Sequence, residues 1–178
     1  MIYLIYVLVA LGLDQLSKLL IIQNVAEQDQ IAIIPGWFYI THWHNSGGAF
    51  GILQGQGVWL AWVAVIVSIC IVGLLVFFPR PLRLVNFGFA LIAGGALGNL
   101  TDRLRLDYVV DFIQVCVNDV CAFPVFNIAD SVIVVGTGLI LFAWLRHKEP
   151  EPIESDTPSK EFSQESKAPK SEVNPVEE

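Results

Sequence analysis

Apolar residues run along this chain in four long blocks, separated by stretches where polar residues, glycine and proline return. A helix rising about 1.5 Å per residue needs roughly 20 apolar residues to cross about 30 Å of hydrocarbon. Residues 2–22, 58–78, 84–103 and 127–145 meet that length, so the pattern predicts four membrane-spanning helices. Pro79 and Pro81 stop the second of them, since proline cannot donate to a continuing helix. The first block carries Asp14 and Lys18 and lacks a basic leader and a small-residue cleavage site, so it reads as a retained span rather than a removed signal peptide.

The stretches between the spans alternate differently. Ile31–Ile34 and Trp37–Thr41 read as short strands about a Pro35–Gly36 turn. Phe112–Val117 and Val120–Phe123 can pair across an Asn118–Asp119 turn, a register that sets Cys116 opposite Cys121 and predicts a disulfide in an oxidising compartment. Trp37, Tyr39, Trp43 and Trp59 are amphipathic aromatics of the kind found at a membrane–water interface. The fold class is therefore an all-α integral membrane protein, four helices with a small extracytoplasmic β-rich element in the outer loops 23–57 and 104–126.

Composition sharpens this picture. Of the 178 residues, 54% are hydrophobic and 15% charged, against about 25% charged in an ordinary soluble domain. Nine acids and four lysines of the net −7 lie between His147 and Glu178. That stretch, rich in Pro, Ser, Glu and Lys, cannot bury enough apolar surface to offset its ordering entropy. It divides the chain into a four-span unit, 1–146, and a disordered acidic tail, 147–178. Arg80 and Arg83 between spans two and three, with Arg146 and Lys148 after span four, place both termini and that middle loop in the cytoplasm. No basic stripe calls for nucleic acid. Three cysteines without zinc spacing call for no structural metal, and Cys70 reads as a small mid-span hydrophobe.

Candidate chemistry lies in the polar residues that interrupt the spans, where each Asp or Lys costs about 2.5–3.5 kcal/mol at the helix centre. Asp14 and Lys18, at i and i+4, share one face and can pair; Lys18 can alternatively snorkel to headgroups. Gly95, Asn99 and Arg103 repeat at i, i+4 and i+8 on span three, and Gly94, Gly95 and Gly98 allow a close neighbour. Asn127 and Asp130 suit the N-cap and third position of span four, which capping alone would explain. Asp111 stands alone in the apolar run Tyr108–Ile113, an unusual place for a carboxylate unless something uses it. Other nucleophiles fit poorly. Ser17 and Lys18 are adjacent and face apart, Ser46 beside His44 sits in a Gly-rich turn, and Cys70 has no histidine in its span. His42 and His44 alternate onto one strand face and can bind a metal, but no third ligand accompanies them.

Five segments together resemble one family. They are Asp14-Gln15-Leu16-Ser17-Lys18, Asn45-Ser46-Gly47-Gly48-Ala49-Phe50, Gly94 through Arg103, Val109-Val110-Asp111-Phe112, and Phe126 through Ser131. In this order, on four spans, they resemble the lipoprotein signal peptidases (signal peptidase II), membrane aspartic proteases of bacteria, over about four fifths of the chain. The resemblance implies that Asp111 and Asp130 are the catalytic pair. It implies that Asp14, Lys18, Asn45, Gly95, Asn99, Arg103, Asn127 and Ala129 bind substrate or support the site. It implies cleavage just before the diacylglyceryl-modified cysteine of prolipoproteins, at the outer face of the bacterial cytoplasmic membrane, and inhibition by globomycin; the expected enzyme is a monomer that meets lipid and needs no cofactor. Elementary chemistry agrees, because two carboxyls in one site share a proton, and Asp130 at the positive end of span four suits the ionised member. An ion-coupled transporter is the rival reading. It would spread polar residues across the membrane depth and repeat its halves, whereas here Lys18, Asn99, Arg103, Asp111 and Asp130 gather near one side.

Overall fold

A computed structural model describes residues 2–47, 55–77 and 83–146. Its elements run α1 (Ile2–Asn24), β1 (Gln30–Ile34), β2 (Phe38–Asn45), α2 (Gly57–Phe77), α3 (Arg83–Leu106), β3 (Val109–Val115) and α4 (Ile128–Arg146). All four helices are long and apolar enough to cross a membrane. The expected spans hold to within three residues at each end. Pro79, Arg80, Pro81, the Gly48–Phe50 part of the second segment and the tail from His147 lie outside the described residues.

α3 is the central helix. Half of its apolar window is buried in protein, against 11–22% for the other three, which leave Leu8, Ile69 and Trp144 exposed as lipid-facing surface would be. Between helices in lipid there is no hydrophobic drive to associate, so contact depends on small residues that let backbones approach. A Cβ on Gly88 would meet the Gly136 carbonyl, and one on Gly136 would meet that of Gly88; the two glycines seat α3 against α4. Val7, Ile71, Leu75, Ala90 and Ala93 form an apolar core between the amino-terminal halves of α1 and α3 and the carboxyl-terminal half of α2. The polar residues collect at the opposite end of the bundle.

That end carries an antiparallel sheet of order β1-β2-β3. Gly36, with φ +82°, turns β1 into β2, a left-handed position that glycine takes without steric cost. β2 runs to Asn45, beyond the Thr41 limit of the alternation, because a register shift between Ile40 and Trp43 absorbs the break and lets pairing resume with Asp111, Val110 and Val109. After α3, Asp107 adopts φ +65° and donates its N–H to the Arg103 carbonyl at 3.2 Å, which ends the helix and turns the chain into β3.

The second hairpin differs from expectation in one half. Asn118 and Asp119 both take positive φ, as a tight hairpin turn requires, and Cys116 and Cys121 are disulfide-bonded. Val120–Phe123 forms only a single bridge, to Val117, and no strand. The chain instead returns to β3 three residues later, where Phe126 exchanges backbone hydrogen bonds with Ile113 at 2.8 and 3.0 Å. This return sets Asn127 beside Asp111. The disulfide closes a loop of sequence separation 5, short enough that chain-entropy arguments assign it about 2 kcal/mol. Thiol titration of denatured, non-reduced protein is expected to find one free thiol, Cys70; a count of three would contradict the bridge.

Candidate active site

Two helix stripes in matched register build the base of the site. On α1, Ala10, Asp14 and Lys18 recur every fourth residue; on α3, Gly94, Gly98 and Asp102 do the same. A side chain at Gly94 would strike Ala10 and the Val7 carbonyl, and one at Gly98 would strike the Asp14 carboxylate. With both glycines bare, the helices close until Lys18 Nζ lies 2.9 Å from Asp14 Oδ2, 2.8 Å from Asp102 Oδ2 and 2.9 Å from Asn99 Oδ1. An ammonium has three donors, and all three are used. Lys18 is 2% exposed, Asp14 0% and Asp102 3%, which removes the snorkelling alternative. Gln15 Nε2 adds donors to Asp102 Oδ1 at 2.9 Å and to Asp14 Oδ2 at 3.2 Å.

The remaining oxygens of this cluster reach out to the two segments that carry the other aspartates. Asp14 Oδ1 accepts the N–H of Ala129 at 2.9 Å, one residue before Asp130. Asp102 Oδ2 accepts the N–H of Val110 at 3.1 Å, one residue before Asp111. Gly95 completes the seat, because a Cβ there would collide with the Ala129 carbonyl.

Asn127 caps α4 as its position predicts. Its Oδ1 accepts the Asp130 N–H at 3.0 Å, while Asp130 Oδ2 accepts the Asn127 N–H at 3.3 Å, a reciprocal capping box. The cap does not exhaust it. Asn127 Nδ2 donates to Asp111 Oδ1 at 2.6 Å and to Asn99 Oδ1 at 3.0 Å. Asn99 Nδ2 in turn donates to Asp130 Oδ1 at 2.8 Å, and Asn45 Nδ2 to Asp111 Oδ2 at 2.8 Å. Every oxygen of Asp111 and Asp130 thus accepts from a neutral donor, and Asn127 touches both carboxyls. Asp111 is 1% exposed. Its burial, and then the charge of Asp130, push its carboxyl up to about 7, against the smaller opposing pull of hydrogen bonds from Asn45 and Asn127.

Arg103 borders the site. Its Nη2 donates to the Gly47 carbonyl at 2.9 Å and its Nη1 to the Asn99 carbonyl at 3.3 Å. Its Nε is buried with no hydrogen-bond partner among the described residues. A cleft of about 450 Å³ between the start of α2 and the end of α3 runs along Arg103, walled by Val58, Ala61, Trp62, Val65 and Leu104; Asp107 lines it, whereas Asp111 and Asp130 do not. Among the described residues no group of three or more His, Cys, Asp or Glu side chains is arranged to hold a metal ion.

The structure therefore gathers all ten sequence candidates into one constellation. Sequence reasoning passed over Asp102 and Gln15. The fourfold spacing that marks Gly95, Asn99 and Arg103 also marks Gly94, Gly98 and Asp102 one residue earlier, and that second stripe was the available signal.

Two kinds of comparison name one family, and a solved structure shares its fold. Residues 6–146 match the family described as signal peptidase (SPase) II. The lipoprotein signal peptidase of Moorella thermoacetica is 40% identical over 142 residues, covering 80% of this chain and 90% of that protein. That of Enterococcus faecalis is 40% identical over 134 residues, covering 75% and 81%. A bacterial membrane enzyme solved by the in meso method at 2.3 Å superposes with a TM-score of 0.75 at 31% identity, covering 84% of this chain and 93% of that one.

Proposed function

The chain belongs to the signal peptidase II family, a multi-pass membrane peptidase acting on lipoprotein precursors, and on that premise we propose an aspartate-activated water as its means of cleavage. The observation that carries the reading is the pair Asp111 and Asp130, held by Asn45, Asn99 and the shared Asn127, with no cation among the described residues in contact with either carboxyl. With Asp111 pushed up to about 7, it is the member that holds a proton near neutrality, and Asp130 is the base. Asp130 takes a proton from water as the water oxygen bonds to the scissile carbonyl carbon. Asp111 gives its proton to the carbonyl oxygen, and the tetrahedral species collapses as the C–N bond breaks and the leaving amine takes a proton from the dyad. No acyl-enzyme forms. Asn45, Asn99 and Asn127 aim the carboxyls; Asp102 and Asp14, drawn together by Lys18, fix the strand and helix that bear them. The Arg103 Nε, unpartnered among the described residues, serves a substrate oxygen, and the apolar wall beside it serves an acyl chain.

The substrate in this reading is a prolipoprotein whose cysteine already carries diacylglyceryl, cut just before that cysteine. Arg83 and Arg146, at the end away from the sheet, support a cytoplasmic position for that end; in this reading the dyad opens at the outer face of the bacterial cytoplasmic membrane, in a globomycin-sensitive monomer. A gel-mobility assay with purified enzyme tests it: the diacylglyceryl-modified precursor is expected to shift and the unmodified precursor to stay intact. Equal processing of both would overturn the substrate assignment. The pH profile of kcat/KM tests the proton. Activity should fall on the alkaline side near pH 7 as Asp111 ionises. Asn45→Ala removes a donor that favours the charged carboxyl, so it should move that limb to higher pH; a downward shift or none would refute Asp111 as the acid.

A further inference from the structure

The sheet holds a second polar cluster on the side away from the dyad. Asp111 pairs in register with Trp43, whereas His44 pairs with Val110, so His44 and Asp111 emerge from opposite faces. His44 stacks on Tyr108 with centroids 3.8 Å apart and meets His42 nitrogen to nitrogen, Nε2 to Nε2, at 3.2 Å.

The tautomers of this pair are fixed by what lies behind each ring. His42 Nδ1 faces the Val25 carbonyl at 2.9 Å, which can only accept. His44 Nδ1 faces the Glu27 carboxylate at 3.0 Å, which likewise accepts. Both Nδ1 atoms therefore carry hydrogen, and both neutral Nε2 atoms present lone pairs to one another. Two lone pairs at that separation repel unless something electron-poor lies between them.

A shared proton is one candidate, but it favours a straight N–H···N line, which would hold the centroids about 5.5 Å apart at this nitrogen separation. The centroids are 5.0 Å apart. The rings are therefore not in line, and for a symmetric bend toward one side their axes would cross about 2 Å from each nitrogen, the bond length of a zinc–imidazole contact. The backing groups have the form that orients metal-bound histidine, one Nδ1–H on a backbone carbonyl and the other on a carboxylate.

We propose that His42 and His44 bind one divalent late first-row transition ion, zinc, copper or nickel, through their Nε2 atoms. Imidazole suits these ions. Water completes the coordination, since the pair supplies two ligands and Glu27 is engaged behind His44. The ion clips two residues of β2 whose other ring nitrogens meet the end of α1 and the turn that carries Glu27, and it takes no part in peptide cleavage.

The experiment uses full-length, untagged protein in detergent, stripped with chelator and then exposed to zinc. After gel filtration, elemental analysis should find one zinc per chain in wild type and in His147→Gln, and none in the His42→Gln/His44→Gln double variant. Glu27→Ala should weaken zinc affinity 10- to 100-fold. Copper-loaded wild type should show electron paramagnetic coupling to two imidazole nitrogens, a readout that survives even if the double variant fails to fold. Absence of retained zinc in wild type, equal retention in the double variant, or copper spectra without two-nitrogen coupling would each overturn the site.

Discussion

Asp111→Asn is expected to lower the single-turnover rate of cleavage about 10³- to 10⁴-fold while leaving the protein folded. General acid–base catalysis by a positioned side chain is worth about 10²–10⁴ in rate, and here the acid's proton is also what keeps two adjacent carboxyls from both ionising. The structural cost is small. Asparagine has the same shape, and one of its two polar atoms still accepts from Asn127 or Asn45. The other sets two donors facing one another, at about 1–3 kcal/mol for an unmade buried hydrogen bond. Against that stands relief from burying a carboxyl beside Asp130. Asp130→Asn should lose as much rate, and the double variant little more than either, because members of one catalytic unit do not contribute additively. The measurement is cleavage of a diacylglyceryl-modified precursor under single-turnover conditions, with thermal unfolding as the control for folding. Undiminished cleavage by Asp111→Asn in well-folded protein would dispose of the dyad.

The spans were legible because their signal is local: length and apolarity suffice when every backbone group must be satisfied within the helix. The i, i+4 pair of Asp14 and Lys18 and the cap made by Asn127 were legible for the same reason, since the partners lie within one turn. Asp102 was not. In the sequence it sits beside Arg103 near the end of a span. Its partner Lys18 is on another helix, and only the register of Gly94 and Gly98 against Ala10 and Asp14 brings them together. Strand limits failed where geometry outside the strand decides them. β2 continues past Thr41 through a bulge that alternation cannot show. Val120–Phe123 forms no strand because the chain instead returns to β3 through Phe126. Asn127 was read as cap or site, and the capping box and the hydrogen bond to Asp111 make it both.

Lys18→Met should destabilise the protein by about 3–5 kcal/mol, the cost of breaking a buried ion pair by removing one partner. Lys18 neutralises two carboxylates at once, and neither has another cation in contact among the described residues. Losing it leaves Asp14 and Asp102 buried together with one of Asn99's acceptor contacts gone. Methionine fills nearly the same volume, so the loss is electrostatic rather than a cavity. The sign can be isolated by restoring neutrality in steps. Lys18→Met/Asp14→Asn removes one of the stranded charges and keeps an oxygen to accept the Ala129 N–H, so it should regain part of the loss. Adding Asp102→Asn, which keeps an acceptor for Val110 N–H, should regain more. Activity should follow a different course. Asp102 and Asp14 hold Val110 and Ala129, the residues before Asp111 and Asp130, so a stable triple variant with weakened grips on both segments should cleave more slowly than its stability predicts. Denaturant unfolding in detergent and single-turnover cleavage, measured on the same variants, separate the two effects. Lys18→Met protein as stable as wild type would mean that the cluster is not held by this cation.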